Sequence, residues 1–150
     1  MAAPFRALVA LDFSPESLAA LKAARSLVKR TGGELTVAHV RPLSDVRAAV
    51  VEERGDLLRL AAGALAGAIA EHYESRFSRV LGRGKTESIR LLRGDPAREL
   101  LRESRRGYDL IVMGNRGRGR VAAFLPGSTV QEMLVRSPIP MLVVPARRRS

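Results

Sequence analysis

From Arg6 to Pro145 short apolar runs alternate with longer stretches in which hydrophobes recur every three to four residues. RALVALD, Arg6 to Asp12, has the unbroken β-rich character of a strand buried on both faces. Ser14 and Pro15 supply an N-cap and a proline at the first helical position, and Leu18, Leu21, Ala24, Leu27 and Val28 fall at helical spacing towards Thr31, where Gly32 and Gly33 stop the helix. ELTVAHV, Glu34 to Val40, is the second strand; Arg41 to Asp45, with Pro42, is a loop. The alanine- and leucine-rich stretch Val46 to Leu81 predicts one long or broken helix ending at Gly82-Arg83-Gly84. Ser88 to Arg93 is a third strand, and Gly94-Asp95-Pro96 repeats the cap-then-proline device to open a helix towards Arg106. Tyr108 to Met113 is the fourth strand, Ser128 to Val135 a short helix and Pro140 to Pro145 the last strand.

Parallel neighbours need crossovers, and the crossovers are right-handed, so this alternation predicts an α/β fold: an open, doubly wound, five-stranded parallel sheet with helices on both faces. A chain of 150 residues is the size of one domain, taken as 1–150. Such sheets take ligands outside the carboxyl ends of their strands, where the strand order reverses. The segment MGNRGRGRVAAFLPGSTVQEML, Met113 to Leu134, leaves the carboxyl end of the fourth strand with four glycines and then enters a helix. A helix entered from a glycine-rich turn offers free N–H groups and the positive end of its dipole, which suits phosphate. Gly114 and Gly117 allow close backbone approach, Gly127 turns the chain into the helix, Ser128 and Thr129 add hydroxyls, and Arg116, Arg118 and Arg120 screen charge. The residues alone leave a second reading open, a surface turn with solvated arginines.

Composition narrows the classes. A hydrophobic fraction of 46% and a charged fraction of 27% are those of ordinary globular proteins. The absence of cysteine excludes thiolate metal sites, cysteine nucleophiles and disulfides. No stretch has the apolar length of a membrane span, and MAAPFRALVALD turns acidic before an export signal is completed, so the expected location is the cytoplasm, without membrane association. The net charge of +11 is unevenly spread: +3, +1 and +7 over residues 1–50, 51–100 and 101–150. Nucleic acid is therefore a possible partner, but two Tyr, four Phe and no Trp leave little for bases to stack on, and a solvated basic surface is favoured.

Other motifs carry less. LGRGKTES ends like a phosphate-binding P-loop, yet Arg79 stands where the first glycine belongs and the segment runs from helix to strand, the wrong order. Gly117 to Ala122 fits a dinucleotide pattern with too little chain after it. His39, inside a strand, reads as a packed or hydrogen-bonded histidine rather than a catalyst, and His39 and His72 do not assemble a metal cluster. No Ser-His-Asp set emerges, and Asp12 is the one acid at the expected ligand edge. Its carboxylate suits a ligand's hydroxyls, but read alone it better suits the cap of the Phe13-Ser14 turn.

Gly114, two residues, Gly117, nine residues, then Gly127-Ser128 is similar to the G-2x-G-9x-G-(S/T) signature of the universal stress protein family. VALDFSPES, LTVAHV, GDPARELL, YDLIVMG and SPIPMLVVP resemble the family's first strand and turn, second strand, third helix, fourth strand and closing segment, leaving only Pro42 to Glu87 without distinctive matches. The resemblance implies a Rossmann-like fold of the adenine nucleotide alpha hydrolase type and ATP binding, with Mg or Mn carried on the phosphates. It implies that Asp12 holds the ribose hydroxyls, Ala10 lies near the adenine, Val40 meets the adenine through its backbone and Met113 and Gly114 flank the ribose. Gly117, Gly127, Ser128 and Thr129 would contact phosphates, with Arg116 in reach. Phosphoryl transfer needs metal-binding acids and a group that orients the nucleophile, and only the phosphate clamp is visible, so a nucleotide-dependent sensor or regulator is expected rather than a turnover enzyme. Slow ATP hydrolysis, self-phosphorylation, adenylate transfer and a nucleic-acid-associated role are the alternatives. The last strand should lie at a sheet edge, where an apolar row needs cover. The resemblance adds that the cover is a second copy, giving a homodimer through Met141, Leu142, Val143 and Val144. The sequence names no regulatory protein partner.

Overall fold

The computed structural model describes residues 2–41, 67, 70–82, 86–116 and 127–145. The elements are β1 (Arg6–Ala10), α1 (Pro15–Thr31), β2 (Glu34–Arg41), helix α2 (70–81), β3 (Ser88–Arg93), α3 (Pro96–Ser104), β4 (Leu110–Gly114), α4 (Ser128–Arg136) and β5 (Met141–Val144). The chain divides into two compact units, Met1–Arg41 with Glu87–Ser150, and Pro42–Thr86. In the smaller unit α2 is the described element, and its Phe77 and Leu81 are buried. The rest of the helix expected from Val46 lies outside the described residues.

The larger unit holds a five-stranded, wholly parallel sheet of order β3-β2-β1-β4-β5. β1 is central, flanked by β2 and β4, so the chain winds outward in both directions from it, as expected. Alternation along the strands sorts the core into two layers. Leu8, Ala38, Ile111 and Met113 pack with Leu100 and Leu101 of α3 and Val130 and Met133 of α4. Ala7, Val9, Val37 and Val112 point the other way, where α1 crosses β1, β2, β4 and β5 with Ala20, Leu21 and Ala24 buried. Local chemistry sets the helix ends. Ser14 caps α1 ahead of Pro15, Asp95 caps α3 ahead of Pro96, and Gly32 at φ 67° closes α1, a left-handed conformation that glycine adopts without strain.

Strand bounds depart from the sequence pattern by one or two residues. β4 starts at Leu110 rather than Tyr108, because the turn through Gly107 at φ 80° and the bend at Asp109 precede it; there the Tyr108 hydroxyl donates to Glu103 Oε1 at 3.0 Å, and Asp109 Oδ2 accepts from the Arg6 amide at 2.8 Å. α3 correspondingly ends at Ser104 instead of Arg106, followed by the turn Arg105 to Gly107. β5 excludes Pro140 and Pro145, neither of which has an N–H to donate.

Glu103 is 3% exposed and gathers three partners. Tyr108 donates to it, Arg90 Nε lies 3.1 Å from Oε1 and Arg106 Nε 3.2 Å from Oε2, while Arg6 stacks 4.9 Å over the Tyr108 ring. Burial holds the Tyr108 phenol above its ordinary pKa, opposed by a hydrogen bond to Thr36. This knot ties β1, β3, α3 and the approach to β4 at the amino-terminal rim of the sheet, leaving the carboxyl rim to the loops.

Candidate ligand site at the strand ends

The sheet order reverses between β1 and β4, so the crevice such folds use lies beyond Ala10 and Gly114. On the β1 side the chain passes through buried Leu11 to half-buried Asp12 and then to Phe13, whose φ of 65° is rare for a residue with a side chain and costs about 1–2 kcal/mol. A closed set of hydrogen bonds holds it there. Asp12 Oδ1 accepts from the Ser14 amide at 2.9 Å and the Ser14 hydroxyl at 2.5 Å, Ser14 Oγ accepts from the Ser17 amide at 3.2 Å, and Ser17 Oγ accepts from the Asp12 amide at 3.2 Å. Phe13 packs against the His39 ring at 5.1 Å, and His39 Nδ1 donates to the Leu11 carbonyl at 2.7 Å. His39 is thus a buried, hydrogen-bonded residue bracing the turn. Asp12 fulfils the capping role that the sequence left open. Ser14 takes two of the roughly four acceptor positions of a carboxylate.

On the β4 side, Gly114 has a reason the sequence does not reveal. A Cβ there would stand 2.6 Å from the Glu16 carbonyl carbon and 2.8 Å from Glu16 Cβ and O. The close backbone approach at this glycine is made by the first turn of α1. Asn115, which sequence reasoning passed over, joins three elements: its amide donates to Val144 at the end of β5 and its carbonyl accepts from the Gly127 amide, both at 3.0 Å. Its Oδ1 is buried without a hydrogen-bond partner among the described residues. Only its position, first after a strand, could have drawn attention to it.

α4 therefore begins beside the carboxyl ends of β4 and β5. Its N-cap is Gly127, with no side-chain cap hydrogen bond, in contrast to Ser14 at α1 and Asp95 at α3. Gly127 turns the chain into the helix with φ −60° and ψ 157°, a conformation any residue adopts, so the turn itself does not call for glycine. Ser128 is exposed and Thr129 half-buried in the first turn, and Arg116 is half-buried two residues beyond β4. Gly117, Arg118 and Arg120 lie outside the described residues. Ala10 and Val40 are half-buried at the ends of β1 and β2 and pack on the core layer beneath α3 and α4. Met113 belongs to that layer and is buried, leaving only its backbone to the crevice. The fold thus brings Ala10, Asp12, Gly114, Arg116, Gly127, Ser128 and Thr129 to one rim of the sheet, with Val40 one strand away.

β5 is an edge strand, as expected. Met141 and Val143 rest on the core layer while Leu142 is 40% exposed. The Pro140 and Val144 carbonyls accept from Ile111 and Asn115, so the even positions turn their backbone towards β4 and Met141 and Val143 turn theirs to the open side. Among the described residues no group of three or more His, Asp or Glu is placed to hold a metal ion, and no helix is long and apolar enough to cross a membrane.

A wholly parallel sheet wound outward from β1, with its reversal point flanked by the starts of α1 and α4, defines an α/β protein of the doubly wound class. The chain belongs to the universal stress protein family, whose pattern it matches over residues 5–145. It is 26% identical to the stress response protein NhaX of Bacillus subtilis strain 168, across 93% of this chain and 96% of that one. Its fold is similar to that of the solved hypothetical protein MJ0577, with a TM-score of 0.75 and 21% identity over 97% of this chain and 98% of the other. A universal stress protein solved in complex with cAMP superposes with a TM-score of 0.58 at 24% identity, over 95% and 98% of the two chains.

Proposed function

We propose that this universal stress protein binds an adenine nucleotide, ATP in the first instance, across the carboxyl ends of β1, β2 and β4, and acts in the cytoplasm as a nucleotide-dependent sensor or regulator in the stress response. The observation that carries the proposal is the start of α4. At the reversal point of the sheet a nine-residue helix opens with glycine at its N-cap and no side-chain cap hydrogen bond. That end of a helix bears roughly half a positive charge and suits a phosphate. Ser128 and Thr129 add hydroxyls, and Arg116, with Arg118 and Arg120, adds cations. Asp12 receives the ribose hydroxyls, and the backbone near Ala10, Val40, Met113 and Gly114 frames the base and sugar. Mg or Mn enters on the phosphates, since Asp12 is the only acid among these residues. The cAMP-bound relative supports the ligand class, an adenine nucleotide.

Asp12→Asn tests the ribose end. The amide keeps an oxygen for the Ser14 N–H but loses its charge, so the fold should survive while affinity for adenosine and for ATP falls by roughly tenfold in each case. Calorimetry on the two ligands reads this. Unchanged affinity for both returns Asp12 to capping alone. Mass spectrometry of the protein as purified identifies any adenine nucleotide it retains.

The proposal extends to a homodimer through Met141, Leu142, Val143 and Val144, paired antiparallel across a two-fold axis. The outward-facing backbone of Met141 and Val143 and the exposure of Leu142 support it. Val143→Pro removes an N–H from the open side of β5 and leaves the groups facing β4 in place, so light scattering at micromolar concentration should find monomers. A variant that stays dimeric, or a monomeric parent, rules out this interface.

A further inference from the structure

A second charged surface lies away from the strand-end crevice. α3 and α4 both pack on one face of the sheet, and between them runs a groove of about 220 Å³ lined by Arg98, Leu101, Arg102, Arg105 and Arg136. Four of the five lining residues are arginines. Two of them are held by glutamates of their own helices, Arg102 by Glu99 and Arg136 by Glu132. Among the described residues no carboxylate pairs with Arg98 or Arg105, so the groove keeps an excess of two positive charges.

Folding accounts for only part of this arrangement. Arg102, Arg105 and Arg136 sit at the carboxyl ends of their helices, where a cation complements the helix dipole. Arg98 does not: it is the third residue of α3, in the first turn, where the dipole disfavours a cation. Positions 98, 102 and 105 are spaced by four and three and so share one helical face. Guanidinium groups present forked donors that match phosphate oxygens two at a time, and several converging on one small concavity suit a ligand with more than one phosphate. Among the described residues the apolar lining is confined to Leu101, with no aromatic ring for a base to stack on and no apolar centre of the sort that anchors a protein partner.

From this we infer that the groove between α3 and α4 is a binding site for a small anion carrying two or more adjoining phosphate groups, held through its phosphates and not through a base. The anion is either free, as inorganic pyrophosphate or tripolyphosphate, or the phosphate end of a nucleotide. This site stands independently of the nucleotide site at the strand ends.

The test is calorimetry of the full chain and of the double variant Arg98→Gln, Arg105→Gln with inorganic pyrophosphate, orthophosphate and adenosine diphosphate, at physiological ionic strength. Both arginines are exposed and pair with no carboxylate among the described residues, so the variant should fold, as its melting curve will verify. The parent should bind pyrophosphate more tightly than orthophosphate, and the double variant should lose affinity for pyrophosphate by roughly tenfold or more. If the diphosphate of the nucleotide is the true occupant, adenosine diphosphate binds with two sites in the parent and one in the variant; free pyrophosphate as occupant leaves its stoichiometry the same. No pyrophosphate binding by the parent, or equal affinity in parent and variant, overturns the inference. So does a result in which a duplex oligonucleotide binds in a manner sensitive to the two substitutions while pyrophosphate does not, which would make the groove a nucleic-acid surface.

Discussion

Gly114→Ala is expected to lower the melting temperature by about 10 °C and to weaken nucleotide binding along with it. The added methyl would lie 2.6–2.8 Å from the backbone and Cβ of Glu16, none of which can rotate away. Relief requires α1 to withdraw from the end of β4, and α1 spans four of the five strands. Overpacking of this kind costs on the order of 3 kcal/mol, and a chain of this size loses about 2–4 °C per kcal/mol. The loss of binding follows from the same movement, because Asp12 and Ser14 are tethered to Ser17 inside α1 and travel with it. Thermal denaturation followed by circular dichroism checks the first effect and calorimetry the second. A variant that melts within about 2 °C of the parent would mean the approach of α1 to β4 is looser than described.

Gly127→Asp should separate the two properties that Gly114→Ala disturbs together. The backbone of Gly127 already has the extended conformation of an N-cap, so aspartate fits without strain and its carboxylate can accept from the amides of Thr129 or Val130. Helix α4 gains a cap and a favourable charge at its positive end, together about 0.5–1.5 kcal/mol, which should raise the melting temperature slightly. The same carboxylate takes up the amides proposed for phosphate and repels a triphosphate at short range. ATP affinity should fall by roughly two orders of magnitude, about 2.7 kcal/mol. Gly127→Ala, which neither caps nor charges the helix end, should bind ATP far better than the aspartate variant. If ATP binds Gly127→Asp as it binds the parent, α4 has no part in the site.

The features legible in the sequence are those written locally. Ser14-Pro15 and Asp95-Pro96 announce two helix starts because capping depends on residues three or four apart, and the strands are visible because burial on both faces demands unbroken hydrophobes. What escaped depends on partners distant in sequence. The role of Gly114 cannot be read without knowing that the Glu16 backbone passes above it. Glu103 resembles any glutamate on a polar helix end until Tyr108, Arg90 and Arg106 are seen to converge on it. Asp12 was found at the right rim from its place after a run of hydrophobes, yet its hydrogen bonds to Ser14 belong to the turn and leave the ribose role a proposal. Arg98 and Arg136 were invisible as neighbours because helices that pack side by side leave no mark on spacing within either.

The central position of β1 sets a timetable for synthesis. β1 can pair with β2 soon after both leave the ribosome, but its other edge waits for β4, and the amide of Arg6 meets its partner Asp109 across a separation of 103 residues. At roughly 5–20 residues per second, that edge stays open for about 5–20 s. A nascent chain of this protein therefore carries a strongly apolar central strand with one edge open through most of its translation, the interval in which a holding chaperone would matter most.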